Sequence, residues 1–131
     1  MGRYAFFNTE FEYKFRFGVQ PSSDIRTFGG IHRWEDETVG SKYHEWKQRD
    51  MEYIFKELEI VILVNSYLQM PDFEQFEGNL EGTSELKHDL YEYYNKAKYL
   101  EEEEIVARFI LGCLIYHQLL YTEKLIASYE E

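Results

Sequence analysis

The sequence predicts an α+β fold, an N-terminal β-hairpin or small antiparallel sheet packed on about three helices, and three observations carry that expectation. The stretch EFEYKFRF, residues 10–17, alternates strictly, placing Phe11, Tyr13, Phe15 and Phe17 on one side and Glu10, Glu12, Lys14 and Arg16 on the other. That is the period of a half-buried strand. From about Lys42 onward, apolar residues recur instead at three- and four-residue spacing, the period of a helix. With 131 residues, 44% of them hydrophobic and 18% aromatic, the chain has the length and the apolar content to bury a core of its own. We therefore read one domain over residues 1–131, with a strand-and-loop part at 1–41 and a helical part at 42–131.

Tyr4 to Phe7 is a candidate partner for the 11–17 strand. Gln20-Pro21-Ser22-Ser23-Asp24 and Gly29-Gly30 are turn chemistry, and Pro21 cannot donate to a ladder, so loops are expected there. Residues 31–41 show little periodicity around the acidic Trp34–Glu37 cluster and read as an exposed connection. Trp46, Tyr53, Ile54, Leu58, Val61, Ile62, Asn65 and Leu68 share one helical face, and Ile60, Leu63 and Val64 make the middle apolar all round, which predicts a central buried helix. It must stop near Met70, because Pro71 disfavours helix at the preceding residue. Thr83 or Ser84 is the expected N-cap of the next helix. From Leu86 to Leu125 a four-three alternation continues almost unbroken. Residues 84–128 as one helix would run for about 65 Å and need a dimer partner. A turn near Asn95–Leu100 would give an antiparallel pair instead, with Glu101–Glu104 in the first turn of the last helix, where the macrodipole favours acids. Globular helices seldom exceed about 25 residues, so the pair is the expectation.

The net charge of −11 lies in one half of the chain. Residues 1–50 hold eight basic and eight acidic side chains, and all the excess follows Met51. Such a surface forgoes the counterion release that drives nucleic-acid binding, so direct binding to DNA or RNA is not expected. It suits solubility, a basic protein partner, or mimicry of nucleic acid toward a protein that binds it. The lone Cys113 has no partner for an internal disulfide and the N-terminus has no signal core, which points to a reducing, cytoplasmic location. The uncharged run Phe109–Tyr121 is shorter than the roughly 20 residues of a membrane span, and Phe6 stands where the myristoylation pattern needs Ser or Thr. No membrane attachment is expected.

Glu10, Glu12 and Lys14 have the spacing Glu-x-Glu-x-Lys. This resembles the first-strand motif of the triphosphate tunnel metalloenzymes, including the CYTH-type triphosphatases. The resemblance implies that Glu10 and Glu12 hold Mg²⁺ or Mn²⁺ while Lys14, with Arg16, contacts triphosphate; hard oxygen ligands suit those cations, and alternation aims the side chains one way. It covers five residues, and a tunnel needs about eight strands where this chain reads as helix after Lys42. The competing reading is a wet strand face.

Cys113 and His117 lie one helical turn apart without the further ligands a soft metal needs, which predicts a buried thiol and a hydrogen-bonded core histidine. His32 and His44 flank the acidic cluster, where the ordered spacing of a calcium loop is missing. No serine carries a nucleophile elbow. Asn65 falls on an apolar seam with Gln69 one turn on, so its amide must be satisfied. Asn65, Gln69 and His117 are candidates for a pocket holding a small polar ligand, and Tyr91 and Tyr99 offer phenols to a partner. The first expectation is thus a small acidic, non-enzymatic interaction module, an adaptor or inhibitor, with a homodimer through the C-terminal helical segment left open. A metal-dependent triphosphatase and a small-ligand-binding module are the alternatives.

Overall fold

The structure is a computed structural model that describes residues 3–16, 18–36, 40–65, 68–78, 80–96 and 103–130. These form five strands, β1 (Tyr4–Phe7), β2 (Glu12–Lys14), β3 (Ile31–Asp36), β4 (Ser41–Lys47) and β5 (Lys124–Glu130), with three α-helices, α1 (Met51–Val64), α2 (Leu80–Lys96) and α3 (Glu103–Leu120). Short 3₁₀ segments occupy Ser22–Phe28, Gln48–Asp50 and Phe73–Gln75. The strands make one antiparallel sheet in the order β2-β1-β5-β4-β3. One face packs on the helices and the other faces water, as the α+β pattern requires.

The alternation read in EFEYKFRF holds. Phe11, Tyr13 and Phe15 are buried while Glu10, Glu12 and Lys14 are exposed; Phe17 lies outside the described residues. Ala5 and Phe7 extend the covered face across β1, and Leu125, Ala127 and Tyr129 do so across β5. Three boundaries differ from the sequence reading. Residues 31–36 pair with β4 rather than forming a loose connection. Ser41–Lys47 and Lys124–Glu130 are strands at the two ends of the part read as helical. Trp46 and Leu125 satisfy both periods: each continues a helical spacing, and each also belongs to a period-2 set, Lys42/His44/Trp46 and Leu125/Ala127/Tyr129, that turns inward. Trp46 and Leu125 are direct cross-strand partners.

The central buried helix is α3, not α1. In α1 only Ile54 and Leu58 are buried, and Leu63 and Val64 are 84% and 68% exposed. The apolar run in α1 exceeds what its packing uses. α1 also ends at Val64, before the expected stop near Met70, where Asn65 turns extended and its N–H bonds back to Val61 O at 3.0 Å. In α3, by contrast, nearly every residue from Val106 to Leu119 is buried. Its C-terminus is closed from outside: the Gln48 amide donates to Leu119 O and to Thr122 O, satisfying carbonyls a helix end leaves open.

Leu80–Lys96 and Glu103–Leu120 are separate helices, so the pair is observed and not the single long rod. Thr83, near the start of α2, meets His117, near the end of α3, which makes them antiparallel. The expected turn after Lys96 lies outside the described residues. α2 starts at Leu80, so Thr83 is not a cap; it is buried inside the first turns.

The expected loop at 20–24 is instead part of the core. Gln20, Ser22 and Asp24 are buried, and Asp24 is paired with Arg108 of α3 at 3.2 Å. Gln20 accepts from the Tyr13 hydroxyl at 2.8 Å and donates to Ala107 O at 3.2 Å, tying β2 to α3. The Ser22–Phe28 segment lays Phe28 on Gly112, where an added Cβ would collide with the Phe28 ring and with a Leu58 methyl. Gly112→Ala gains about 0.8–1.0 kcal/mol of helix propensity and loses about 1–3 kcal/mol to overpacking. The variant is expected to melt below the wild type in thermal unfolding; a raised Tm would show that this contact has slack.

Candidate functional site

The charged side of the 10–17 strand is the outer edge of the sheet. Glu10 sits at φ 69° in the turn between β1 and β2 rather than on a strand. Glu12 and Lys14 are exposed on the edge strand β2, and Lys14 Nζ lies 6.0 Å from the Tyr4 ring. Arg16 is half-buried beyond the end of β2. An open sheet does not gather these side chains into the enclosed tunnel that the metalloenzyme resemblance implies. Among the described residues, no group of three or more His, Cys, Asp or Glu side chains is placed to hold a metal ion.

Two of the core polar residues singled out from sequence are held by partners within the fold. His117 is fully buried; its Nε2–H donates to Phe76 O at 2.8 Å and its Nδ1 accepts from the Thr83 hydroxyl at 3.0 Å. Burial holds its pKa below the ordinary histidine value, against the contrary pull of the Phe76 carbonyl. The Cys113 thiol is buried and pushed well up by desolvation, which leaves it inert as a nucleophile. Asn65 is buried at the end of α1, and its carbonyl accepts from Leu68 N at 3.1 Å. Tyr91 is half-buried, with its hydroxyl bonded to that of Tyr13 and its pKa raised by desolvation. Tyr99 lies outside the described residues. Of Asn65, Gln69 and His117, only Gln69 lines the groove beside α2 and α3.

A second pair of histidines comes together across β3 and β4. His32 and His44 are direct cross-strand partners with ring centroids 5.7 Å apart, and His44 packs on Trp46 at 4.6 Å. The His44 Nε2–H donates to Gly29 O, while its Nδ1 is buried and meets no donor among the described residues. Tyr129 reaches His32 Nδ1 at 3.3 Å. Desolvation is the largest cause of the lowered His44 pKa, opposed by the Gly29 carbonyl and reinforced by the neighbouring His32 and then Arg26.

A groove of about 240 Å³ lies between the 68–76 loop and the α2–α3 pair. Its floor is apolar, built from Leu68, Leu86, Leu90, Val106, Phe109 and Ile110. Its rim is polar: Gln69, Gln75 and Tyr93 line it with the carboxylates of Asp72 and Asp89. Of the residues singled out from sequence, only Gln69 reaches it. The apolar floor was legible in the spacing of α2 and α3, but the rim was not, because Asp72 and Asp89 belong to segments joined only by folding.

Compared with protein families, curated proteins and solved structures, the chain shows no match.

Burial holds the folded-state pKa values of both His44 and His117 below the ordinary histidine value of about 6.5. The unfolded chain therefore binds more protons just below that pH. Their contribution to stability is complete above about pH 6.5 and is lost progressively as pH falls from there through the folded-state values. Thermal melts from about pH 7 to about pH 5 should show a falling Tm, with a shallower fall in His44→Gln. A Tm flat across that window would mean that neither imidazole is desolvated.

Proposed function

We propose that the protein is a non-enzymatic interaction module, an adaptor or inhibitor, whose groove beside α2 takes a basic, amphipathic segment of another protein. The observation that carries this reading is a groove with an apolar floor bordered by the exposed carboxylates of Asp72 and Asp89. Around it the outward face of α2 continues the acidic character with Glu81, Glu85 and Glu92, all exposed. A partner helix that sets Leu or Phe side chains at i and i+3 or i+4 into the floor, with Lys or Arg beside them, matches both features.

Magnitudes divide the work. Burying one large apolar side chain is worth about 1.5–3 kcal/mol, and an exposed ion pair about 0.2–1 kcal/mol. Affinity then comes from the floor, while the carboxylates select the sign of the partner and speed its arrival. At about 240 Å³ the groove is smaller than the roughly 300–1,000 Å³ pockets that enclose small ligands, which favours side chains of a larger partner over a free small molecule.

The test uses paired peptides. An amphipathic Leu/Lys helix should bind, and the same helix with Lys replaced by Glu should not. The double variant Asp72→Lys, Asp89→Lys, which alters only exposed positions, should weaken the basic peptide by about tenfold or more. Equal binding of both peptides, or binding of the basic peptide indifferent to the double variant, would sink the proposal.

A further inference from the structure

The outer face of the sheet carries a cross-strand row that, among the described residues, no helix covers. Backbone register aligns Glu12 of β2, Phe6 of β1, Ser128 of β5, Tyr43 of β4 and Arg33 of β3 side by side. The row is ordered by chemistry: an exposed acid at one edge, an exposed base at the other, two aromatic rings inside them, and a small residue in the middle. Phe6 is 50% exposed and stacks on Tyr4, itself 39% exposed, with centroids 6.0 Å apart. A cleft of about 310 Å³ runs beside them along Ser41, Ser128 and Glu130. Two residues further along β5, Ile126 lies on the same face, opposite Glu45.

From this row we infer that the outer sheet face is a self-association surface, and that its occupant is a second copy of the same chain. Aligned sheets pack face to face about 10 Å apart. A two-fold axis parallel to the strands and above β5 lays each β2 over the β3 of the second copy and each β1 over its β4. Along the row, Glu12 then meets Arg33, Phe6 meets Tyr43, and Ser128 meets Ser128, where its small side chain permits close approach. Ile126 stacks on its own copy beside the axis. Twisted sheets splay apart at their edges, and the edges are where the row places its long charged side chains. Arg33 is 65% exposed, and its ion pair among the described residues, with Glu45, is a long one at 3.9 Å. Within one chain Glu12 and Arg33 stand at opposite edges of the sheet and cannot pair with each other. Between copies the Glu12–Arg33 pairing forms twice, and it is isologous; within one chain the edge charges have only Lys87 near Glu12 and Glu45 near Arg33 among the described residues. This surface is distinct from the acidic groove, which lies on the helical side of the molecule.

The geometry supplies its own test. The wild-type chain should show a reversible monomer–dimer equilibrium by sedimentation below roughly 1 mM, the range of weak, transient association. Glu12→Arg and Arg33→Glu should each weaken it about tenfold or more, since each sets like charges opposite one another twice. Mixing the two variants should restore association as a heterodimer, because each then supplies the charge that the other lacks. Circular dichroism melts of both variants guard against unfolding, and the mixture recovers a signal that an unfolded variant could not. A wild type that stays monomeric throughout, a dimer indifferent to either substitution, or a mixture that fails to associate would each overturn the inference; a dimer insensitive to both would have to form elsewhere, for example on the exposed end of α1.

Discussion

A helix that is apolar on all sides cannot stand in water, and α3 is such a helix. From Val106 to Leu119 almost every side chain is buried, each large one contributing about 1.5–3 kcal/mol by leaving water. Every other element is arranged to cover it. The covered face of the sheet, α1, α2 and the Ser22–Phe28 segment take the sides around it, and Gly112 is where one side comes closest, leaving no space for a methyl group beside Phe28 and Leu58. Several polar groups drawn into this core bring their partners with them: His117 with Phe76 and Thr83, Gln20 with Tyr13 and Ala107, Asp24 with Arg108. A buried polar group without such partners would cost about 1–3 kcal/mol.

Wrapping one helix from several sides leaves two different outer surfaces. On the helical side, a shallow groove lies between the 68–76 loop and the α2–α3 pair, and it is edged by Asp72 and Asp89. On the sheet side, strands with one inward face must present the other to water, and there the chain places charges of both signs around Tyr4 and Phe6. The uneven distribution of charge along the sequence becomes an uneven distribution in space. Acids after Met51 gather on the helices, while the balanced first fifty residues supply most of the sheet.

Much of the fold was legible in the sequence where a single period dominates. Phe11, Tyr13 and Phe15 admit only a strand with one wet face, and the wet face is where Glu12 and Lys14 are found. Legibility failed where two periods overlap or where composition misleads. Trp46 and Leu125 fit helix and strand alike, and cross-strand pairing between them decided the matter. Gln20, Ser22 and Asp24 look like surface loop residues and are buried, because a polar segment can enter a core once donors and acceptors on other elements meet it. The apolar run of α1 looks like a core helix and is largely exposed at its end.

The candidate site shows the same division. Gln69 was reached through helical spacing, but the groove it lines depends on Asp72, Asp89 and Tyr93 arriving at one rim from different segments. What the sequence determined by itself was composition, charge asymmetry, the alternating N-terminal strand and the helical content, all of which follow from interactions between residues a few positions apart. The tertiary structure alone decided which apolar helix lies at the centre, that β5 sits between β1 and β4, and which side chains face one another across the sheet. Those outcomes depend on contacts between residues far apart in the chain, and local periodicity carries no information about which distant partner a buried face will find.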